Sequence, residues 1–206
     1  MKAHLKPLTF LLSLALFVGA CGPAGSEKDD NIIARSGPAV ATGEANIGGP
    51  YELINQNGET VTEQSFIGKP QIIFFGFAYC PDVCPMALQQ IGAVLSDIDP
   101  KGEIFTPIFI SVDPERDTPE ELAVYVTNNG FPKGLVGLTG SPEQIEKAKL
   151  AYKVYSTKVP DPDSTAGYTV DHASLIFVMD RDGKFHNVFT HTSTMDDIKT
   201  GLSVFK

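Results

Sequence analysis

The chain has 206 residues, 42% of them hydrophobic and 20% charged, with a formal net charge of −9 and three cysteines. This composition describes one globular domain with appendages, too apolar for full disorder and too polar for a polytopic membrane protein. The acidic balance and the lack of any Lys/Arg run exclude a general nucleic-acid binder, and three cysteines are too few for a disulfide scaffold.

The first twenty residues read as an address. Lys2 and Lys6 give a positive start, and residues 8–20 form an apolar run. That run is short of the ~20 residues needed to span a bilayer but suits a secretory signal. It ends Val18-Gly19-Ala20-Cys21, which resembles the lipobox of bacterial lipoproteins, where the Cys is lipidated and becomes the new N-terminus. A plain secretory signal with an incidental Cys21 is the alternative. Several acyl chains on one Cys, at roughly 0.8 kcal/mol per buried CH2, hold a protein stably to a membrane. Residues 21–49 are rich in Gly, Ala, Pro, Ser and Asn without clear periodicity, and read as lipid anchor and flexible tether. A coil of this length spans roughly 30 Å. Packing of part of it as an N-terminal strand is the competing reading.

Residues 50–206 read as one α/β domain. Residues 51–54 and 59–61 flank Asn55-Gln56-Asn57-Gly58, a hairpin signal. Residues 71–77 form an almost continuous apolar run, as expected of a strand buried on both faces. Leu88, Ile91, Leu95 and Ile98 then recur at helical spacing. Residues 104–112 form a second central strand. Thr118-Pro119-Glu120-Glu121 and Ser141-Pro142-Glu143-Gln144 are helix starts, each an N-cap with proline at the first helical position. They predict helices over 119–127 and 142–152. Residues 153–168, with Pro160, Pro162 and Gly167, carry too many breakers for a regular element and read as an exposed loop. Strands at 174–179 and 184–190 flank the turn Asp180-Arg181-Asp182-Gly183, and a short helix follows Thr194. Alternating strands and helices imply a central mixed sheet covered by helices.

Cys80-Pro81-Asp82-Val83-Cys84-Pro85 lies where a buried strand meets a helix, the end of an open α/β sheet at which ligands bind. Residues four apart share a helix face, so both sulfurs are expected to meet. A helix N-terminus favours thiolate by roughly 0.3–1 kcal/mol, up to ~2 when partly buried, which lowers a thiol pKa by about 0.2–1.5. Such a pair binds a soft metal or cycles through a disulfide, unless it is a permanent structural one.

Three motifs in order, Cys80-Pro81-Asp82-Val83-Cys84-Pro85, Ser111-Val112-Asp113-Pro114-Glu115-Arg116-Asp117-Thr118 and Val170-Asp171-His172, resemble the Sco/SenC family over about residues 49–206. The resemblance implies a thioredoxin-like fold and a membrane-tethered chaperone that assembles the dinuclear copper centre of cytochrome c oxidase. It places Cys80, Cys84 and His172 as ligands of one copper ion, Cu(I) or Cu(II). The implied partners are the copper-binding subunit of a terminal oxidase, and other copper chaperones or thioredoxin-like reductants. The secretion signal and lipobox give as expected location the extracytoplasmic, periplasmic face of a bacterial membrane, lipid-anchored. The lipobox departs from relatives anchored by a transmembrane helix. The ligand set is chemically coherent: thiolates select soft Cu(I), imidazole accepts either oxidation state, and no fourth ligand suggests structural zinc.

The carboxylates carry weaker signals. Asp82 stands between the cysteines and tunes the charge of the site or merely starts the helix. Asp113 follows a central strand. Asp171 adjoins His172 and is placed to orient its imidazole. Arg116 and Asp117 read as loop and cap residues, Phe77 and Tyr79 as packing around the site. His186 and His191 read as structural or surface residues. The loop at 153–168 leads to His172, where it can close over copper or meet a partner.

The chief rival function is a thiol–disulfide oxidoreductase that reduces the cysteines of the oxidase copper site. A metal-free redox sensor or structural lipoprotein is the remaining one. Three intervening residues rather than two, and the absence of Trp, set the cysteine motif apart from thioredoxins, and Phe77 occupies the position where a peroxiredoxin has Thr.

Overall fold

The computed structural model of the protein describes residues 46–162 and 166–206. The signal at 1–20, Cys21 and residues 22–45 of the tether lie outside the described residues.

Along the chain run β1 (Glu52–Asn55), β2 (Thr60–Thr62), β3 (Gln71–Gly76), α1 (Val83–Ile98), β4 (Thr106–Ser111), α2 (Pro119–Tyr125), β5 (Val136–Thr139), α3 (Pro142–Tyr152), β6 (Ser156–Pro160), β7 (Tyr168–His172), β8 (Leu175–Met179), β9 (Phe185–Thr190) and α4 (Met195–Leu202). The β1–β2 turn forms because Asn55 Oδ1 accepts from the N–H groups of Asn57 and Glu59, while Gly58 takes a φ of +80°. The hydroxyls of Thr118 and Ser141 accept from backbone N–H groups three residues on, as their capping patterns foretell, and the Thr194 hydroxyl does the same at the start of α4.

Seven strands form one sheet in the order β2-β1-β5-β4-β3-β8-β9. β3, β4 and β5 are parallel, and β1, β8 and β9 pair antiparallel around them. Every residue of β3 is buried, which explains its unbroken apolar run. Phe74, Phe75, Phe109, Phe177 and Phe189 are fully buried within this core, each contributing about 1.5–3 kcal/mol by leaving water. The whole is a thioredoxin-like mixed sheet flanked by helices. Among the described residues no helix is long and apolar enough to cross a membrane.

Three expectations need correction. The segment 153–168 is not loop throughout, because residues 156–160 form a strand that pairs antiparallel with 168–172, from Ser156–His172 to Pro160–Tyr168. Thr157, Val159, Thr169 and Val170 supply the β-branched residues, and Pro160 is tolerated because it closes the end of a two-stranded ribbon. β5 escaped the reading because it is four residues long with Gly137 inside it. A Cβ on Gly137 would lie 2.8 Å from Val126 and 3.2 Å from Leu122, so the glycine lets α2 approach the sheet. Finally, the domain begins before residue 50. Ile47 packs against the core and the Gly48 N–H donates to the Ala151 carbonyl at 2.9 Å.

Candidate functional site

The site gathers at the carboxyl ends of β3 and β4, where side chains are held in register by a parallel ladder that pairs Gly76 with Ser111. Beyond β3 the chain turns through residues 77–82 before α1 starts. Cys80 therefore lies on the turn and Cys84 in the first helical turn. The two do not share a helix face as the spacing predicts. They meet because the Cys84 N–H donates to Cys80 Sγ at 3.4 Å. Cys84 is fully buried, Cys80 only partly, and both are free thiols.

Gly76 makes room for this pair. A Cβ there would stand 2.9 Å from Cys84 Sγ, 2.9 Å from the Phe109 ring and 3.0 Å from the Phe74 ring. No sequence pattern marks this need, because the obstructing groups come from α1 and β4 as well as from β3 itself.

The two sulfurs differ sharply. A hydrogen bond from the Cys84 thiol, with further ones from the backbone N–H groups of Asp82 and Cys84, lowers the Cys80 pKa from 9.0 to about 5. The same hydrogen bond and burial push the Cys84 thiol far up, so that it keeps its proton. The drop at Cys80 exceeds the roughly 0.2–1.5 that a helix terminus supplies. Cys84 as donor is the larger cause. Cys80 is thus the solvent-reached thiolate and Cys84 the sheltered thiol.

His172 ends β7 and brings its Nε2 to 3.5 Å from Cys84 Sγ. Its Nδ1 lies 3.3 Å from the Val170 carbonyl, and its ring meets Phe77 edge-on with centroids 5.7 Å apart. Asp171 does not orient this imidazole. Strand alternation sends its side chain outward, where it is exposed, and the backbone carbonyl takes the place foreseen for it. Among the described residues no three His, Cys, Asp or Glu side chains form a ready-made metal cluster. The close pairs are Cys80 with Cys84 and Cys84 with His172.

Asp82 is the exposed N-cap of α1 without a side-chain cap bond, and it reaches Cys80 through its backbone N–H rather than its carboxylate. Asp113 is buried one layer away. Its carboxylate accepts from Arg116 Nε at 2.5 Å and from the Tyr168 hydroxyl at 2.8 Å. Arg116 Nη1 donates to the Tyr168 carbonyl at 3.1 Å, with the guanidinium 3.8 Å from the Tyr168 ring centroid. Asp113 and Arg116 thereby tie the hairpin that carries His172 to the loop after β4.

Asp117, read from sequence as a loop or cap residue, is instead a buried acceptor that holds the turn carrying Cys80. It is fully buried, and its Oδ2 accepts from the Ala78 N–H at 3.0 Å and the Ser111 hydroxyl at 2.6 Å. Burial raises its carboxyl to about 6, against the opposing effect of those bonds. Its position in Ser111-Val112-Asp113-Pro114-Glu115-Arg116-Asp117 was legible; its contact with the cysteine loop, 39 residues away, was not.

Residues 39–204 match the family model described as SCO1/SenC. The chain is 38% identical over 174 residues to the Arabidopsis thaliana protein SCO1 homolog 1, mitochondrial, which covers 84% of this chain and 50% of that protein. It thus spans half the length of that relative. It is similar to the structure of Bradyrhizobium japonicum ScoI with copper bound, at 44% identity and a TM-score of 0.69, covering 78% of this chain and 99% of the other. BsSco is a member of the Sco family of cytochrome c oxidase assembly proteins in which a disulfide switch has been identified. It is 25% identical with a TM-score of 0.60, covering 79% of this chain and 95% of the other.

Proposed function

The chain belongs to the SCO1/SenC family, and from that premise we propose that it carries copper for assembly of the dinuclear copper centre of cytochrome c oxidase. Cys80, Cys84 and His172 hold one copper ion as cargo. The observation that carries this reading is the approach of His172 Nε2 to Cys84 Sγ, beside Cys80. Two sulfurs and one imidazole nitrogen are a donor set for copper: the thiolates favour Cu(I), and the imidazole extends tolerance to Cu(II). Binding displaces the Cys84 proton, because the thiolate is the ligand. A partner's thiolates then take the ion by exchange at the side of Cys80, which solvent reaches.

Titration of the reduced protein with Cu(I) and Cu(II) tests this. One ion per chain is expected, abolished for Cu(I) by Cys80→Ser or Cys84→Ser. His172→Ala is expected to weaken Cu(II) binding more than Cu(I) binding, since two thiolates alone hold Cu(I). A His172→Ala variant with unchanged Cu(II) spectrum and stoichiometry overturns the assignment.

The contrast between the two thiols supports a second reading, reduction of the disulfide in the oxidase copper domain. The Cys80 thiolate attacks one sulfur of that disulfide and displaces the other as a thiolate. Cys84 then loses its proton and attacks Cys80, releasing the partner's second sulfur as a thiolate. Two electrons pass to the partner, and this chain is left with a Cys80–Cys84 disulfide that a thiol reductant must reopen. A deletion strain separates the readings. His172→Ala should retain the thiol chemistry but fail to restore oxidase activity at limiting copper. Full restoration by that variant favours reduction over delivery.

The same proposal assigns the location. Cys21 is the lipidated N-terminus, residues after it form the tether, and the domain works at the extracytoplasmic face of a bacterial membrane beside the oxidase subunit. The support is the Val18-Gly19-Ala20-Cys21 motif after a short apolar run. Mass spectrometry of the mature N-terminus tests it, and an unmodified Cys21 ends it.

A further inference from the structure

We propose that a groove between α1 and the start of α4 is a second soft-metal site, selective for Cu(I), with Met86, His191 and Met195 as its donors. The groove has a volume of about 300 Å³ and is lined by Val83, Met86, Gln90, His191 and Met195.

Three of those five residues carry a thioether or an imidazole. The chain has only four methionines and four histidines, so their meeting on one small surface is notable in chemical terms. Of the methionines described, Met179 is buried in the core at 1% exposure, as an apolar side chain should be. Met86 and Met195 are instead 58% and 47% exposed. The two helices are fixed against one another here: Gln90 Nε2 donates to the Ser193 carbonyl at 2.5 Å, clamping the segment from His191 to Met195 onto α1. The thioether arms stay adaptable because Met is unbranched with three rotatable bonds. Thioethers are soft neutral donors that select Cu(I), and imidazole joins them readily. Neutral sulfur binds more weakly than thiolate, which suits a site that passes its ion on.

The groove is distinct from the cysteine site. Met86 follows Cys84 by two residues, about 200° around the helix at 100° per residue. Cys84 faces the core, and Met86 faces solvent with Val83 and Gln90 on one stripe. The inference therefore does not depend on copper binding by Cys80, Cys84 and His172.

The test uses the full-length chain with Cys21→Ser, Cys80→Ser and Cys84→Ser, which leaves no thiol. Methionine methyl groups are labelled with carbon-13, and Ag(I) is added as a redox-inert probe for Cu(I). The methyl signals of Met86 and Met195 should shift together and saturate at one Ag(I) per chain, while Met179 stays still. Met86→Leu or His191→Ala should weaken binding at least tenfold, with circular dichroism unchanged because both positions are at the surface. His172→Ala in the same background should change nothing. The proposal fails if neither methyl responds, if the two titrate independently, or if Met86→Leu leaves the Met195 titration intact. Any of these results leaves the groove an apolar surface.

Discussion

Cys84 and His172 are 88 residues apart in the chain, yet Cys84 Sγ and His172 Nε2 stand 3.5 Å apart in the fold. The sulfur is placed by the first turn of α1 and the imidazole by the last residue of β7. The distance between them is therefore a property of two separate supports, and each support can be weakened without touching a ligand.

The support of His172 runs through Arg116. The Arg116–Asp113 pair is largely buried, with side-chain exposures of 15% and 0%. Arg116→Ala leaves a buried carboxylate without its cation, a change that costs about 3–5 kcal/mol. Tyr168→Phe removes the hydroxyl bond to Asp113, about 0.5–1.5 kcal/mol, together with that hydroxyl's contact to Lys158. Both variants should weaken Cu(II) more than Cu(I), because they loosen the hairpin bearing the imidazole and leave the cysteines in place. Urea unfolding and copper titration of the pair check this. Equal losses of Cu(I) and Cu(II) affinity would instead indicate general unfolding of the site.

The support of Cys84 runs through Gly76. In Gly76→Ala the new methyl meets Cys84 Sγ and two rings at about contact-violating range, 2.9–3.0 Å. Overpacking of this kind costs about 1–3 kcal/mol. The variant should fold with a lower Tm and bind Cu(I) more weakly, as Cys84 is displaced. A variant with wild-type Tm and affinity would show that the site has slack the geometry does not reveal.

Alkylation should titrate at Cys80 with a midpoint near pH 5, with Cys84 nearly inert in the folded protein. In Cys84→Ala the lost hydrogen bond should move the midpoint up toward the ordinary thiol value of 9.0. The folded pKa is depressed, so the stability it contributes is present above the unfolded value and is lost as pH falls through about 5. The Tm difference between wild type and Cys80→Ala, measured from pH 4 to 9, should grow with pH in favour of the reduced wild type. Iodoacetamide rates that rise only above pH 8 would refute the assignment.

Asp117 has the opposite sign. Burial raises its folded pKa to about 6 from 3.8. Its stabilising contribution is full below the unfolded value and is lost as pH rises through about 6. The Tm of wild type relative to Asp117→Asn, which stays neutral, should decline between pH 4 and 7. Asp117→Ala should cost about 1–3 kcal/mol near pH 4, because the buried Ala78 N–H and Ser111 hydroxyl lose their acceptor, and this cost should shrink as pH rises through about 6. A pH-independent difference between wild type and Asn would place the carboxyl's titration outside this range.

Local pattern alone determined a good deal of this protein. The apolar run of β3, the helix starts at Thr118 and Ser141, and the β1 turn at Asn55 are encoded within a few residues, because periodicity and capping act over one or two turns. The cysteine motif at the end of a buried strand was legible for the same reason. Tertiary structure alone decided which groups converge. The β6–β7 hairpin is held by pairing across a ribbon, against the sense of its Pro and Gly content. The partner of the His172 ring is the Val170 carbonyl and not the neighbouring Asp171, because strand alternation turns adjacent side chains to opposite faces. Asp117 reaches Ala78, and Tyr168 reaches Asp113, only when the parallel register of β3 and β4 and the docking of the hairpin bring distant segments together. Spacing along a chain carries no measure of such distances; burial and register do.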